Sequence, residues 1–323
     1  MDPLLSREVV DYDLPPTTSI SKLISLLENG GGFTAKKLGV ALKILLKMLK
    51  EEDCINFLAF PACVVATGMR GLLAGVLKRG FFDIVITTGG TVDHDIAKSF
   101  SKYYHGSFES DDSLLYEKRI HRLGNIFIPF DNYGPVIEDF TIKLVSKLLD
   151  KGIEKVSPSR LLYEAGLMID DEHSILRQAA KNKIPIFSPG LLDSSFGTSL
   201  FVISQTKKFQ IDFLEDMKKL ADICFPMKKS GALIIGGGIS KHHTIWWNQF
   251  KGGLDYAVYI TTAVEWDGSL SGARDREAIS WGKISESANR VTVEGDATII
   301  FPLLAAALYE LKVSRTPKKL LTL

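Results

Sequence analysis

Short apolar runs alternate with longer amphipathic segments along most of the chain. The runs are bounded by turn residues and enriched in residues that favour buried strands, and they cover residues 55–60, 83–87, 125–128, 184–187, 232–235 and 255–261. Strands that alternate with helices form βαβ units, in which the strands lie parallel. The pattern therefore predicts an α/β fold: one large Rossmann-like domain with a mostly parallel, doubly wound sheet.

The segments between these runs have helical spacing and recognisable ends. Thr34 is a candidate N-cap for a helix whose apolar positions include Leu38, Leu42 and Leu45. Further helices are predicted at residues 61–80 and 135–150, from Ser157, and from a cap at Asp296 through Leu311.

Two terminal segments differ from this alternating pattern. Residues 1–33 are polar and contain two consecutive prolines and three consecutive glycines, which predicts an N-terminal arm that docks on another surface. Residues 314–323 carry three basic side chains and predict a solvated C-terminal tail. The catalytic domain is expected to span residues 34–313, without an internal repeat or linker.

Composition narrows the class of protein. The 323 residues are 46% hydrophobic and 24% charged, which is ordinary for a globular chain. A formal net charge of +1 gives no global field that would attract nucleic acid or an anionic membrane. Three separated cysteines without a CxxC pair indicate neither a disulfide framework nor a metal site. With no leader pattern and no apolar run long enough to cross a bilayer, we expect a cytoplasmic protein.

Glycines and acidic residues concentrate just after the predicted strands. In a parallel sheet, ligands bind beyond the carboxyl ends of the strands, so these loops are the expected site. Thr88 precedes two glycines, and residues 236–238 are three glycines that follow a strand, so the backbone can approach a phosphate closely. Neither stretch has GxGxxG spacing. The pattern favours a nucleotide without naming it, and plain turns would use the same residues.

The chemically richest segment is residues 265–283. Asp267, Glu277 and Trp281 lie close in sequence to Lys283. Carboxylates pair with ammonium groups and an indole face attracts them, so the segment has the composition of a cation-binding pocket. A partly desolvated lysine in such a pocket could attack an imine as a free amine. The alternative is a surface loop with scattered charges.

Two adjacent histidines, His242 and His243, follow the second glycine stretch. Adjacent side chains point in different directions, and no second cluster of ligands accompanies them, so they indicate no metal site. Two interpretations stay open from the residues alone. One is a hydrogen-bonded loop histidine, and the other is a neutral imidazole that accepts a proton.

One segment is specific enough to suggest a family. Residues 265–284, EWDGSLSGARDREAISWGKI, closely resemble the signature around the catalytic lysine of deoxyhypusine synthases. That family has counterparts, in the same order, of the segments FLAF, TGMRG, ITTGGTVDHDIAK, HRLGNIFIP, IPIFSPGLLDSSFG, GGGISKHH, DYAVYITTA and GDATIIFPLL. The resemblance covers roughly residues 36–311, which is nearly all of the core.

The resemblance implies an activity, a cofactor and an assembly. Deoxyhypusine synthases use NAD to transfer the 4-aminobutyl group of spermidine to a lysine of the translation factor 5A precursor. They are homotetramers with sites across a dimer interface. Lys283 falls on the lysine that forms the enzyme–aminobutyl imine, and His242 on the histidine implicated in proton removal. The polyamine positions are Glu277, Trp281 and Ser271, and the NAD positions are Thr88, Asp193, Gly236, Gly237, Thr262, Asp267 and Asp296.

Several positions depart from the family pattern. Two aspartates are replaced by Thr198 and Leu270, an asparagine by Trp246, an acidic residue by His94, and a Ser-Asn pair by Ala62 and Cys63. We therefore predict that Trp246 contributes an aromatic face to the amine donor. Two alternatives stay open. One is the same chemistry with another donor or acceptor, such as agmatine as donor or homospermidine formation, and the other is a weakly active regulatory paralogue. Retention of Lys283, His242 and Glu277 argues against the paralogue.

Overall fold

The computed structural model describes residues 7–321. The strands are β1 (Cys54–Ala59), β2 (Ile84–Ile86), β3 (Tyr104–His105), β4 (Ile120–Leu123), β5 (Ile126–Pro129), β6 (Lys155–Val156), β7 (Ile186–Phe187), β8 (Gln210–Ile211), β9 (Lys229–Ile235), β10 (Leu254–Thr261) and β11 (Ile284–Glu294). The helices are α1 (Ile20–Asn29), α2 (Phe33–Lys50), α3 (Cys63–Ala66), α4 (Met69–Lys78), α5 (Gly89–Phe100), α6 (Asp112–Glu117), α7 (Gly134–Asp150), α8 (Pro158–Met168), α9 (Ile175–Asn182), α10 (Ser195–Ser204), α11 (Phe213–Cys224), α12 (Gly238–Gln249), α13 (Glu277–Ser280) and α14 (Ala297–Glu310).

Six of these strands form the main sheet, in the order β11-β10-β9-β1-β2-β7, and all of their pairings are parallel. Alternate residues of β1 enter two different cores. Cys54 and Leu58 pack into the larger one, whereas Ile55, Phe57 and Ala59 pack into the smaller one on the opposite face. Because both faces are covered by helices, every residue of β1 is buried. The prediction of a parallel, doubly wound sheet is confirmed.

A small antiparallel sheet, β3-β5-β4, lies outside the main sheet. The run predicted as a strand at residues 125–128 belongs to it. Its strands β4 and β5 are joined by Gly124 and Asn125, with Leu123 paired to Ile126. Gly124 has a φ of 60°, which glycine adopts freely at the first position of a tight hairpin. The third sheet is the two-stranded pair β6-β8.

Two local predictions are wrong, and one strand was not predicted. The helix expected at residues 61–80 is divided into α3 and α4, because the Thr67 hydroxyl accepts a hydrogen bond from the backbone N–H of Met69 at the break. Helix α2 begins at Phe33 after Gly32, so Thr34 is inside it rather than its cap. Strand β11 was not predicted. It forms the edge of the sheet, where polar side chains such as Ser285 and Glu286 face solvent and remove the apolar signal.

The second half of the predicted N-terminal arm is part of the body of the protein. Helix α1 packs against α2 and α14, and Ile24 is only 1% exposed. Glu28 fits against Gly39, where an added Cβ would lie 2.4 Å from the Cβ of Glu28. Its carboxylate accepts hydrogen bonds from Arg7 and Lys43. Residues 1–6 of the arm lie outside the described residues.

The C-terminal segment is not a solvated tail where the structure describes it. The guanidinium of Arg315 lies 2.5 Å from the carboxylate of Asp83, which is fully buried at the start of β2. The backbone N–H of Lys318 donates to the same carboxylate at 2.6 Å, and Leu320 and Leu321 pack against the smaller core. A buried carboxylate needs such partners, which the basic residues of this segment supply.

Candidate active site

The loops predicted to hold ligands all follow strands of the main sheet. Thr88 follows β2, Asp193 follows β7, Gly236 follows β9, Thr262 follows β10 and Asp296 follows β11. Since these strands are parallel neighbours in one sheet, their carboxyl ends lie at the same edge. The chain reverses its direction of winding between β1 and β9, and the crevice at such a switch point is where open α/β sheets bind ligands.

Glycines bring two loops into close contact at this crevice. Gly236 has a φ of 69°, and a Cβ added to it would lie 3.2 Å from the ring of Pro61 after β1. A Cβ on Gly237 would lie 2.2 Å from the Oγ of Ser271. Any side chain at Gly237 would therefore push away the loop of residues 262–276. The bare backbone here leads directly into the first turn of α12, which is suited to a phosphate or ribose.

Thr88 provides an independent sign of a ligand at this edge. It occupies the N-cap position of α5, but its hydroxyl caps no backbone group. The Oγ1 atom is buried and has no hydrogen-bond partner within residues 7–321. An unpaired buried hydroxyl is costly, so a bound group that pairs with it would relieve the cost. The exposed side chain of Asp193 lies on the turn before α10, with no ion pair in the described part of the chain.

Asp267 and Asp296 each use one carboxylate oxygen within the protein. The Oδ1 of Asp267 accepts the backbone N–H of Ser269 at 2.7 Å, and the hydrogen bonds to Ser269 hold the pKa of this carboxyl below its usual range. The Oδ1 of Asp296 accepts from the backbone of Thr298 at 2.8 Å, which confirms the predicted cap of α14. Both side chains are exposed, so their other oxygens are free for a ligand.

Lys283 lies immediately before β11, and its side chain is 8% exposed. Its Nζ lies 5.0 Å from the ring centroid of Trp281 and 5.8 Å from that of Trp246. Within residues 7–321 it has neither an ion pair nor a side-chain hydrogen bond, so its amine is held by aromatic faces alone.

A cavity of about 160 Å³ surrounds this lysine. Glu277, Trp281 and Leu270 line it together with Lys283. Three residues predicted from the sequence block are therefore brought together, and the substituted Leu270 adds an apolar wall. Ser271 follows Leu270 and packs on Gly237, so one loop connects the cavity with the glycine crevice.

His242 lies on α12 rather than in the loop expected from the sequence. Its ring stacks on Trp246 with the centroids 5.7 Å apart and an interplanar angle of 24°. Burial, and then the positive charge of Lys283, lowers the pKa of this imidazole below its ordinary value. His242 is therefore uncharged near neutral pH and can accept a proton. His243 faces another direction, accepts a hydrogen bond from the indole of Trp247, and has its pKa lowered to about 4 by burial.

Lys241 and Tyr259 line the cavity and were not among the predicted site residues. Lys241 is 1% exposed, and its Nζ donates to the carbonyls of Leu270 at 2.8 Å and Ala273 at 2.6 Å. It also lies 4.3 Å from the ring centroid of Tyr259, whose buried hydroxyl has no partner in the described chain. Burial lowers the pKa of Lys241 to about 8. Lysines are seldom fully buried, so no sequence signal marks this one.

The remaining substituted positions lie around the same edge. His94 is buried on α5, its Nδ1 lies 2.9 Å from the hydroxyl of Tyr103, and burial lowers its pKa to about 4. A neutral side chain therefore stands where the family has an acidic one. Thr198 is exposed on α10 and donates to the carbonyl of Ser194. Cys63 is exposed at the start of α3, beside Ala62, which lies close to Gly90.

Residues 7–321 contain neither a membrane-spanning helix nor a metal-binding cluster. The described helices include none long and apolar enough to cross a membrane. No group of three or more histidine, cysteine or acidic side chains in this range is arranged to hold a metal ion.

Comparisons with known proteins bear on this site. The family model described as "DS: Deoxyhypusine synthase" matches residues 22–308. Probable deoxyhypusine synthases from Sulfolobus acidocaldarius and Thermoplasma volcanium are 54% and 51% identical to this chain. Both alignments cover 94% of the chain, and they cover 98% and 97% of the two relatives.

A solved structure shows the same fold. The crystal structure of a proposed deoxyhypusine synthase from Entamoeba histolytica matches with a TM-score of 0.65 and 20% identity, over 96% of this chain and all of the other. At that identity the match concerns the fold alone. The family model and the relatives, by contrast, match nearly the whole chain in sequence. The chain therefore belongs to the deoxyhypusine synthase family, which is a family of transferases.

Proposed function

We propose that this protein transfers the 4-aminobutyl group of spermidine to a lysine of the translation factor 5A precursor, with Lys283 as the covalent nucleophile. One observation supports this most strongly. The amine of Lys283 lies between two indole rings in a cavity that also contains Glu277, beside the ligand-binding edge of the sheet. Since the acceptor acts in translation, we infer that the protein works in the cytoplasm.

In this proposal the cavity binds the amine donor. Glu277 pairs with one ammonium group, and the faces of Trp281 and Trp246 attract the cationic chain. Ser271 lies at the end of the cavity that meets the glycine crevice. Lys283 has no anionic partner in the described chain, so no ion pair holds its amine away from the donor. In the proposed step this amine attacks the imine carbon of the oxidised donor, and diaminopropane leaves as the enzyme–aminobutyl imine forms.

His242 accepts the proton that the donor loses. Its imidazole is uncharged near neutral pH, because burial and the charge of Lys283 both disfavour its protonation. Its ring stacks on Trp246, and that indole lies 5.8 Å from the Nζ of Lys283, so the imidazole is close to the proposed reacting amine. Geometry and charge state therefore both suit a general base.

NAD is the proposed cofactor, and the residues at the crevice fit it. Gly236 and Gly237 leave room for a close backbone approach, and Thr88 has an unpaired buried hydroxyl. The further residues that would hold it are Asp193, Thr262, Asp267 and Asp296. When bound, NAD supplies the hydride chemistry. The residues of this chain orient the donor, hold the amine and exclude water from the cavity.

We propose a homotetramer as the working assembly. Besides its buried residues, helix α10 exposes the apolar side chains of Phe201 (61%) and Val202 (56%) to solvent. Exposed apolar faces of this kind mark association surfaces. Thr198 is one turn away on the same helix, so a partner subunit that covered this face would approach a position that the family uses for the donor.

A second candidate function has the same chemistry with a different donor or acceptor, such as agmatine as donor or homospermidine formation. One observation favours it. Among the described residues, Glu277 is the single carboxylate that lines the cavity, whereas Lys241, Arg274 and Lys283 are cationic side chains there. Leu270 replaces an acidic residue of the family, so the cavity of one subunit carries little negative charge for a polycation.

The experiment that separates these functions is an intact-mass assay. Purified protein, NAD and labelled spermidine or labelled agmatine are incubated with either the candidate 5A precursor or putrescine, and the labelled small products are measured beside the intact protein masses. An aminobutyl mass added to the precursor from spermidine supports the proposed function. Transfer from agmatine alone, or to a small amine alone, supports the second candidate.

A further inference from the structure

One aromatic side chain contacts both of the proposed reactive groups. Trp246 lies one helical turn after His242 on α12, and its indole stacks on the imidazole at 24°. The same indole lies 5.8 Å from the Nζ of Lys283. Its own orientation is supported by Phe250, whose ring meets it edge-on at 90° and 5.9 Å. Trp246 is 40% exposed, so it contacts these rings without being part of the core.

We propose that Trp246 is a positioning residue for His242: its indole covers one face of the imidazole, fixes the rotation of the ring and keeps that face dry. The proposal deepens the proposed function, in which His242 accepts a proton. An asparagine, the residue that the family has here, is short and well hydrated and could not cover the ring in this way.

The charges around His242 explain why this cover has a chemical effect. Lys283 faces the imidazole from the start of β11, and His243 is its neighbour on α12. Of the causes that disfavour the imidazolium form, burial is the largest and the charge of Lys283 is the second. Since the indole provides part of that burial, removing it admits water and stabilises the charged form.

The test measures the protonation of His242 directly and needs no turnover. The whole protein, without NAD or donor, is treated with diethyl pyrocarbonate over a range of pH. The reagent modifies uncharged imidazole, and peptide mass spectrometry resolves each histidine. In Trp246→Ala the pH midpoint of His242 is expected to rise by about half a pH unit, with faster modification of the uncovered ring. Trp246→Phe is expected to restore most of the wild-type behaviour.

Control variants distinguish loss of the contact between Trp246 and His242 from a general disturbance of α12. Phe225→Ala removes a different exposed aromatic residue, which contacts Phe250 and Trp247 but not the histidine. It is expected to leave the His242 midpoint unchanged. Modification of His243 in the same samples reports whether α12 stays folded. If Trp246→Ala fails to fold, Trp246→Asn, which places the family's amide there, is expected to show the same upward shift.

Two results bear on the proposal in opposite ways. An unchanged midpoint and rate for His242 in a folded Trp246 variant would overturn it, whatever the activity. An upward shift that Trp246→Phe reverses supports it. Failure of the proposed function would be seen elsewhere, as the absence of aminobutyl transfer by the wild-type protein in the intact-mass assay.

Discussion

The glycine crevice and the lysine cavity lie at the same edge of the sheet, yet they are built differently. The crevice is a backbone structure, in which Gly237 leaves no room for a Cβ and exposed carboxylates lie on loops that follow the strands. The cavity is made of side chains from α12, β10, the loop after β10 and α13. The crevice depends on local backbone conformation, whereas the cavity depends on side-chain packing. Substitutions in one should therefore leave the function of the other unchanged.

The cavity contains two buried lysines, Lys241 and Lys283, whose amines have different partners. The Nζ of Lys241 donates to two carbonyls and lies over Tyr259. The Nζ of Lys283 lies over two indole faces and, within residues 7–321, donates no hydrogen bond. An amine that donates to two carbonyls is held in place, whereas an amine without acceptors in the described chain is available for reaction. Lys241 is therefore an anchor for the loop, and Lys283 is the candidate nucleophile.

The largest expected effect comes from Lys283→Ala. The other lysine of the cavity, Lys241, has its amine hydrogen-bonded to two carbonyls and should not take over the aminobutyl group, so transfer should be lost completely. The crevice does not include Lys283, so NAD should bind as in the wild type, which isothermal titration calorimetry would measure. If Lys283→Ala transferred the group at the wild-type rate, Lys283 could not be the nucleophile.

Lys241→Met should lower stability rather than remove chemistry directly. Methionine fills similar space but leaves the carbonyls of Leu270 and Ala273 without a donor, which costs about 1–3 kcal/mol. Denaturant unfolding at pH 7 would measure the loss. Lys36→Met, which changes an exposed lysine, is the matched control and should be neutral.

Lys241→Met should also change how the free energy of unfolding depends on pH. The pKa of Lys241 is lowered to about 8 in the folded state, below its unfolded value near 10.4. The unfolded chain therefore binds a proton between these values that the folded chain does not. The contribution of Lys241 to the free energy of unfolding should rise with pH across this window. Lys241→Met should lack that rise, and an identical slope in both proteins would count against the anchor role.

Substitutions of Asp296 test the glycine crevice, where NAD is proposed to bind. Asp296→Ala should weaken NAD binding by about tenfold or more, because a charge-assisted hydrogen bond is lost, and it should also remove the cap of α14. Asp296→Asn keeps a capping oxygen and should stay as stable as the wild type while it still binds NAD less tightly. If both variants bind NAD with wild-type affinity, the assignment of Asp296 to the cofactor is wrong.

The smallest expected effect is that of Trp246 on donor binding. Loss of its cation–π contact should raise the donor KM several-fold to about tenfold, whereas Trp246→Phe should be milder. Steady-state kinetics would give the KM, and size-exclusion chromatography would show whether the oligomer stays intact. If the donor KM is unchanged in an intact oligomer, Trp246 does not bind the donor, and its contact with His242 is the remaining proposed role.

The sequence predicted these regions unequally, for physical reasons. Central strands such as β1 are buried on both faces and therefore appear as continuous apolar runs. Gly236 and Gly237 mark the crevice because only glycine fits there. The edge strand β11 has one neighbour and a half-polar sequence, so periodicity does not show it. The burial of Lys241 and the ion pair of Arg315 with Asp83 depend on contacts between distant segments, which no local pattern records.

The resemblance to a family identified site residues that the hydrophobic periodicity could not identify. It identified Lys283, Glu277 and Trp281 as a group, and the structure brings them to one cavity. It did not show that His242 lies on a helix and stacks on Trp246, because the family has an amide at that position and thus no such ring.

The most direct test of the account is to find which lysine becomes modified. The wild-type protein is incubated with NAD and labelled spermidine, reduced with borohydride to trap the imine, and digested for peptide mass spectrometry. Lys283 and Lys241 line the same cavity, so the experiment distinguishes two close candidates. We expect the aminobutyl mass on Lys283, and none in Lys283→Ala. An adduct on Lys241, or undiminished trapping in Lys283→Ala, would contradict the account.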